Sequence, residues 1–179
     1  MSSPHSPLVR IAEQGDAAAI DALCQTLGIH SWSPLLPEAE ERCLSVAYLP
    51  PTGQVIGIAK IHHHPLPEGD APAGYYLGGI YVAEQYRHRG IGRCLTEFRL
   101  QRIAEHARQA YYFTNERNIA SQRLHASLGF ERIAVLSQIF ALRPDDPDTR
   151  LWLYRLQVPR PEAWSPSNFT TLGPAADAR

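Results

Sequence analysis

The chain has 179 residues, of which 44% are hydrophobic and 20% charged, and its formal net charge at pH 7 is −1. These values are typical of one globular domain that buries a core without disulfide or metal cross-links. A net charge near zero excludes the basic excess of general nucleic-acid and membrane-surface binders, so we expect neither partner.

The cysteines and the first residues of the chain indicate where in the cell the protein is expected. Cys24, Cys43 and Cys94 form no Cys-x-x-Cys pair, so we expect reduced thiols and no disulfide frame or zinc site. The first residues lack an apolar signal core, and no apolar run approaches the length of about 18 residues that a membrane span requires. We therefore expect a soluble, cytoplasmic protein.

In chain order, the apolar patterns predict a mixed α/β fold with the order β-α-α-β-β-β-α-β-α-β-β. The predicted strands cover residues 8–12, 43–49, 54–62, 75–82, 111–114, 133–141 and 151–157. The predicted helices cover residues 16–27, 38–42, 91–107 and 118–128, and Asn118 is the predicted N-terminal cap of the last one.

Two features interrupt this pattern. Gly78 and Gly79 lie inside the predicted strand 75–82, where paired glycines indicate a bulge or a close backbone approach. After residue 157 the chain is rich in proline and poor in large apolar side chains. We therefore predict one domain at 1–157 and a Pro-rich C-terminal tail at 158–179.

The loop Arg87-His88-Arg89-Gly90-Ile91-Gly92 joins the predicted strand 75–82 to the next helix. Its glycines let the backbone approach an anion closely, and the first N–H groups of the helix are free to bind it. The helix dipole adds about half a positive charge, and Arg87, Arg89 and Arg93 add full charges. This arrangement predicts a pyrophosphate site.

Two well-known classes of phosphate-binding loop do not match these residues. A dinucleotide-binding fingerprint needs a third glycine where Leu95 stands, and a P-loop needs a Gly-Lys-Ser/Thr sequence that the chain lacks. A solvated basic turn would account for the loop alone, but not for the second motif that follows it.

The two motifs together resemble the GNAT superfamily of acetyl-CoA-dependent N-acetyltransferases. The segment 87–92 fits the family's [Arg/Gln]-x-x-Gly-x-[Gly/Ala] signature completely. The segment 118–130 fits a second signature, Asn-x-x-[Ala/Ser]-x-x-x-Tyr-x-x-x-Gly-Phe, with His125 in place of the tyrosine. The resemblance covers residues 8–157.

This resemblance implies a mostly antiparallel central sheet with a splayed fourth and fifth strand and helices on both faces. It implies acetyl-CoA as cosubstrate, with the pantetheine amides paired to the backbone of Ile80, Tyr81 and Val82. The pyrophosphate would rest on the N–H groups from His88 to Arg93. The residues expected to bind the cosubstrate are Ile80, Tyr81, Val82, Arg87, His88, Arg89, Gly90, Ile91, Gly92, Arg93, Asn118 and Ser121.

The resemblance also places His125 at the cosubstrate sulfur. With an ordinary pKa of about 6.5, about a quarter of a histidine is protonated at pH 7, so His125 could donate a proton to the departing thiolate. No general base stands out, because the strand 75–82 contains no carboxylate. Glu84, the histidines at 62–64 and a bound water are the open alternatives.

The triplet His62-His63-His64 does not predict a metal site. Adjacent residues of a strand point to opposite faces, so three in a row cannot readily bind one ion. We expect no metal.

The acceptor is less well specified than the cosubstrate. Acidic residues at Glu38, Glu40, Glu41, Glu68 and Asp70 would suit a cationic amine, although acids are common on any surface. The segment 76–82 with Ser121 and His125 is similar to aminoglycoside 6'-N-acetyltransferases, which carry an acidic residue where Gly78 stands. A protein N-terminus, an ε-amine, a polyamine and a small metabolite stay open.

Three functions therefore follow from the sequence. The first is N-acetyl transfer from acetyl-CoA to a small-molecule or peptide amine by direct attack in a ternary complex. The second is a catalytically silent acyl-CoA-binding sensor, which the missing carboxylate and missing tyrosine favour. The third is a structural module, and a homodimer is left open in each case.

Overall fold

The computed structural model describes residues 7–36 and 42–160. The strands are β1 (Leu8–Ile11), β2 (Arg42–Leu49), β3 (Gln54–His64), β4 (Gly74–Val82), β5 (Gln109–Asn115), β6 (Glu131–Leu136) and β7 (Leu151–Gln157). The helices are α1 (Ala17–Leu27), α2 (Ile91–Ala104) and α3 (Ile119–Ala126). Within the described ranges, no helix is long and apolar enough to cross a membrane.

The strands form one seven-stranded sheet in the order β1-β2-β3-β4-β5-β7-β6. The β4–β5 pair is parallel, and the other neighbouring pairs are antiparallel. This confirms the predicted mixed fold with a mostly antiparallel sheet.

The helices pack on both faces of this sheet. Ile20 and Leu23 of α1 lie in one buried cluster with Val46 and Ile58, whereas α2 packs against Ala59 in another. Because neighbouring strand residues point to opposite faces, Ile58 and Ala59 place α1 and α2 on opposite sides. The sheet is therefore covered where β2, β3 and β4 meet.

The predicted irregularity at Gly78-Gly79 is a β-bulge. Ala59 pairs with Ile80 and Ile61 pairs with Leu77, so the two glycines lie opposite Lys60 alone. On the other side of β4, pairing with β5 ends at Leu77 and Tyr112. Beyond this point β4 and β5 separate, which opens a slot in the middle of the sheet.

Several predicted boundaries are wrong. The strand predicted at 133–141 begins at Glu131 and ends at Leu136, because Phe140 and Ala141 adopt positive φ angles of 44° and 60° in a turn. The helix predicted to reach 107 ends at Ala104, and the strand predicted to end at 62 continues to His64.

Two predictions fall on residues that the structure leaves undescribed. Residues 38–41 of the predicted second helix lie outside the described ranges, while Arg42 begins β2. Residues 161–179 of the predicted tail also lie outside them, so the boundary between domain and tail stays a prediction.

Candidate active site

A cavity of about 770 Å³ occupies the slot between β4 and β5 and reaches the beginning of α2. Eleven of the thirteen residues predicted for the site line it. They are Ile80, Tyr81, Val82, Arg87, His88, Gly90, Ile91, Gly92, Asn118, Ser121 and His125. Arg89 and Arg93 are not among the lining residues.

The loop before α2 is shaped for close backbone approach. Gly90, the residue that precedes the helix, has a φ of 78°, and His88 has a φ of 61°. Left-handed residues next to a helix start turn successive N–H groups toward one point, where an anion is stabilised. The N–H groups of the first turn of α2 have no carbonyl partner within the helix. The geometry therefore fits a pyrophosphate.

The three arginines of this region have different surroundings. Arg87 Nε donates to the carbonyl oxygen of Val82 at 3.1 Å, which fastens the loop to the end of β4. The Arg89 guanidinium lies 5.7 Å from the ring centre of Tyr86. Arg93 forms an ion pair with Glu97 at 2.8 Å, so its charge is partly compensated.

The edge of β4 that faces the slot is open to a ligand. Ile80, Tyr81 and Val82 pair with β3 on one side, while the described β4–β5 pairing stops before them at Leu77. A strand with one unpaired edge can accept an extended ligand as an additional strand. This is the place where the sequence predicts the pantetheine amides.

Helix α3 forms the opposite wall. Asn118 precedes it, and the Asn118 side-chain oxygen accepts a hydrogen bond from the Ser121 N–H at 3.2 Å. This is the predicted helix cap. It fixes the first turn of α3 and so places Ser121 and His125 along the cavity.

His125 is only 3% exposed, and its ring stacks on Tyr112 with the ring centres 3.7 Å apart. Nδ1 lies 2.8 Å from the carbonyl oxygen of Ser121, which can only accept, so Nδ1 carries the proton. Nε2 is buried and has no hydrogen-bond partner among the described residues.

Burial lowers the pKa of His125 to about 4, against an ordinary value of 6.5. The ring is therefore neutral at pH 7, and the expectation that a quarter of it is protonated does not hold. In this tautomer Nε2 has a lone pair and no proton, so it can accept a hydrogen bond but cannot donate one.

The histidine triplet divides between the two faces of the sheet, as the strand period requires. His62 and His64 line the cavity, whereas His63 is absent from its wall and stacks on Tyr75 at 4.3 Å. Glu84, another candidate base, does not line the cavity either. In the described part of the chain, no cluster of three His, Cys, Asp or Glu side chains could hold a metal ion.

Two features of the site were missed by the sequence patterns. One is a set of lining residues on the side away from α2: Lys60, Tyr76, Phe113, Phe140 and Leu142. The other is Arg99, which is 1% exposed and donates to the carbonyl oxygens of Lys60 and Gly78 at the bulge. Helix periodicity could have indicated Arg99, since it lies one turn from the buried Leu95.

Comparisons with known proteins agree with this geometry. A sequence model described as the acetyltransferase (GNAT) family matches residues 18–130. A GNAT-family protein from Desulfovibrio desulfuricans superposes with a TM-score of 0.66 at 20% identity, covering 86% of this chain and 100% of the other. A GCN5-related N-acetyltransferase from Kribbella flavida gives 0.65 at 22% identity, covering 85% and 98%.

The ribosomal-protein-S18-alanine N-acetyltransferase of Escherichia coli gives a TM-score of 0.63 at 16% identity, covering 85% of this chain and 94% of the other. Curated proteins yielded no match. The similarity to aminoglycoside 6'-N-acetyltransferases stays a prediction. The family match spans more than half of the chain and contains both motifs that line the slot, and the chain belongs to the GNAT family of acetyltransferases.

Proposed function

We propose that the protein transfers the acetyl group of acetyl-CoA to a primary amine by direct attack in a ternary complex. The observation that carries this proposal is the single slot lined by both motifs, with an open β4 edge and the N-terminus of α2 at one end. A cytoplasmic location and a small-molecule or peptide acceptor are part of the proposal.

Acetyl-CoA would lie along this slot. The backbone of Ile80, Tyr81 and Val82 would pair with the pantetheine amides, and the N–H groups from His88 to Arg93 would bind the pyrophosphate. The acetyl group would then reach the bulge at Gly78-Gly79, where β4 and β5 separate. The acceptor would enter from the side of His62 and His64.

The acceptor must lose a proton before or during attack. An amine with a pKa near 10.4 is almost entirely protonated at pH 7, so forming the reactive neutral amine costs up to about 4–5 kcal/mol. His62 lies beside the bulge, since a Cβ atom on Gly78 would be 3.0 Å from His62 Cδ2. Burial first, and then the charge of Lys60, lower the pKa of His62 to about 4. The ring is therefore neutral and has a lone pair for a proton, but it is a weak base and can take the proton only as the nitrogen bonds to the acetyl carbon. We propose that His62 accepts the proton of the amine.

The leaving thiolate requires less assistance. With a thiol pKa near 8.5, releasing the thiolate without a proton at pH 7 costs only about 2 kcal/mol. We propose that His125 contacts the sulfur with its neutral ring. As the tetrahedral intermediate collapses, Nε2 would accept the second proton of the amine nitrogen and donate it to the departing thiolate, so that His125 ends neutral. Its Nε2 is buried and has no hydrogen-bond partner among the described residues, so it can take up a proton without breaking an existing hydrogen bond.

Calorimetry with acetyl-CoA, followed by thiol release across a panel of amines, tests the proposal. We expect acetyl-CoA to bind in a one-to-one complex and at least one amine class to release free thiol. Absence of acetyl-CoA binding would contradict the proposal at its first step.

A catalytically silent acyl-CoA sensor is the second candidate. It is favoured by one observation, namely that no Asp or Glu of the described ranges lines the cavity, so no carboxylate base is at hand. Tight acetyl-CoA binding without turnover on any amine would favour the sensor over the enzyme.

A further inference from the structure

Lys60 is the single lysine in a chain with sixteen arginines. It belongs to β3 and lies opposite the bulge at Gly78-Gly79. Its side chain lines the cavity on the side where the acceptor would enter. The only ε-amine of the protein is therefore at the proposed reaction site.

The side chain of Lys60 is held in place by its neighbours. Its stem runs along Gly78, since a Cβ atom added there would lie 2.6 Å from Lys60 Cγ. Its Nζ lies 4.3 Å from the ring centre of Trp32, a cation–π contact. Trp32 is fixed in turn by an edge-on contact with Tyr81, with the ring centres 5.3 Å apart.

The charge of Lys60 has no acidic partner in the part of the chain that the structure describes. The ion pairs formed there join other residues. Lys60 is half-buried, and burial lowers its pKa. Because Lys60 lines the cavity and its Nζ makes no hydrogen bond to a described residue, the N–H donors of Nζ are not committed to the protein and can bind a ligand that reaches them.

The surroundings of Lys60 add no compensating negative charge to the cavity. His62 and His64 also line the cavity, and burial lowers the pKa of both. Glu68 approaches His64, but its carboxylate accepts a hydrogen bond from the Ala141 N–H at 3.2 Å and does not line the cavity. Among the described residues, the part of the cavity wall formed by Lys60, His62 and His64 therefore has a positive potential.

The rest of this wall is apolar and aromatic. Phe140 stacks on His64 with ring centres 3.6 Å apart and meets Tyr76 edge-on at 5.0 Å. Phe113 and Leu142 complete the surface. Such a wall favours an acceptor with an apolar or aromatic body.

We propose that the acceptor is a primary amine that also carries a carboxylate or another anionic group, which Lys60 binds, and an apolar body that packs against the aromatic wall. This inference rests on the proposed acetyl transfer and names its substrate class. It differs from the expectation of a cationic acceptor, because Glu68 and Asp70, two of the acids on which that expectation depended, do not line the cavity. The other three, Glu38, Glu40 and Glu41, lie outside the described residues.

Matched pairs of acceptors test the proposal in turnover. Phenylalanine and other apolar amino acids are compared with their amides, which have the same body and amine but no carboxylate. The amide has the less basic amine and so more of the reactive neutral form, which means that a preference for the acid cannot come from amine reactivity. We expect kcat/KM to be at least tenfold higher for the acids, as an ion pair in a partly dry site would give.

Variants assign this preference to Lys60. In Lys60→Met the preference should disappear through a higher KM for the acids, and in Lys60→Arg most of it should return. Arg132→Met is the matched control, since it also removes a cation from a tryptophan ring, that of Trp152, but lies outside the cavity. A wild-type preference for the amides or for polyamines would overturn the inference.

A binding measurement separates this inference from the proposed function. Since the chain has one lysine, acetic anhydride labelling of Lys60 can be followed by mass spectrometry without interference from other ε-amines. 3-Phenylpropanoate, which has no amine to acetylate, should slow the labelling of Lys60 several-fold, and 3-phenylpropanamide should not. Protection by the carboxylate without turnover of any amine would refute acetyl transfer and leave the anion site supported. Turnover with equal labelling in both additives would refute the anion site alone.

Discussion

Arg99 of α2 donates from Nη1 to the carbonyl oxygen of Gly78 at 3.1 Å, and the same nitrogen lies 3.0 Å from the carbonyl oxygen of Lys60. One buried guanidinium thus joins β3 and β4 where the bulge forms. Because the C=O and N–H of a trans peptide point in opposite directions, fixing the Gly78 carbonyl also fixes the direction of the Gly79 N–H. Arg99 therefore sets the backbone geometry of the bulge.

Replacing Arg99 should affect both stability and catalysis. Arg99→Met leaves two buried carbonyl groups without their donor, and we expect the free energy of unfolding to fall by about 2–3 kcal/mol. Arg99→Lys supplies one amine in place of the planar fork and should recover part of this loss. Urea unfolding measures the effect on stability, and kcat at saturating acetyl-CoA measures the effect on the bulge.

Arg102→Met is the control for Arg99 on the same helix. Arg102 pairs with Glu105 at the surface at 2.9 Å, an interaction worth less than about 1 kcal/mol. Equal losses of stability in Arg99→Met and Arg102→Met would show that Arg99 does not hold the bulge.

Gly78→Ala should disturb the bulge directly. The new Cβ would lie 2.6 Å from Lys60 Cγ, which is close to the backbone and cannot swing away freely. We expect a loss of about 1–3 kcal/mol in the free energy of unfolding and a higher KM for the acceptor. Gly15→Ala, where a Cβ meets nothing within 4 Å, should change stability by less than about 0.5 kcal/mol. The prediction fails if the two variants behave alike in urea unfolding.

His62→Gln and His63→Gln are a matched pair of substitutions on opposite faces of β3. His62 lines the cavity, whereas His63 stacks on Tyr75 outside it. If His62 accepts the proton of the amine, kcat/KM should fall at least tenfold in His62→Gln and stay within about twofold in His63→Gln. Thiol release at pH 7 with a fixed acceptor measures both. Similar activity in the two variants would leave a bound water as the base.

The buried neutral ring of His125 predicts a pH dependence of stability. Its pKa is about 4 in the folded protein and near 6.5 when exposed, so the unfolded chain binds the proton more tightly. The stabilisation is therefore complete above pH 6.5 and is lost as the pH falls toward 4. Between pH 7 and pH 5 this amounts to about 2 kcal/mol.

The variant His125→Phe isolates this contribution, because its ring can stack on Tyr112 without titrating. Urea unfolding at pH 7 and pH 5 should show a decrease that is about 2 kcal/mol larger in the wild type than in the variant. His62, whose pKa is also lowered, contributes to both proteins and cancels in this difference. Parallel decreases in the two proteins would mean that the His125 pKa is not lowered.

The features predicted correctly from the sequence depend on local backbone chemistry. The loop from Arg87 to Gly92 leads into α2, Asn118 caps α3, and paired glycines form the bulge. Each of these is written in a few adjacent residues whose conformational preferences are strong. The turn at Phe140 and Ala141 was not predicted, because it lacks such a local signal. Neither residue favours a positive φ, and the apolar pattern continues through the turn.

The features that were not predicted depend on contacts between distant segments. Arg99 resembles any charged helix residue until the bulge brings carbonyl oxygens from β3 and β4 beneath it. Lys60 reaches Trp32 from a distant part of the sequence, and the pKa of His125 is lowered by burial against side chains that include Tyr112 of β5, which stacks on it. No periodicity or motif encodes these neighbours.

Acetyl transfer at this slot is tested by following free CoA and acetylated amine together by mass spectrometry in one reaction, with wild-type protein and with Gly90→Val. The variant places a β-branched side chain at a φ of 78° beside the anion cradle, so it should lose acetyl-CoA binding and turnover together. In the wild type, we predict one molecule of N-acetylated product for each molecule of CoA released. Release of CoA without formation of an acetylated amine would contradict acetyl transfer. Equal turnover in the wild type and in Gly90→Val would contradict this slot as its site.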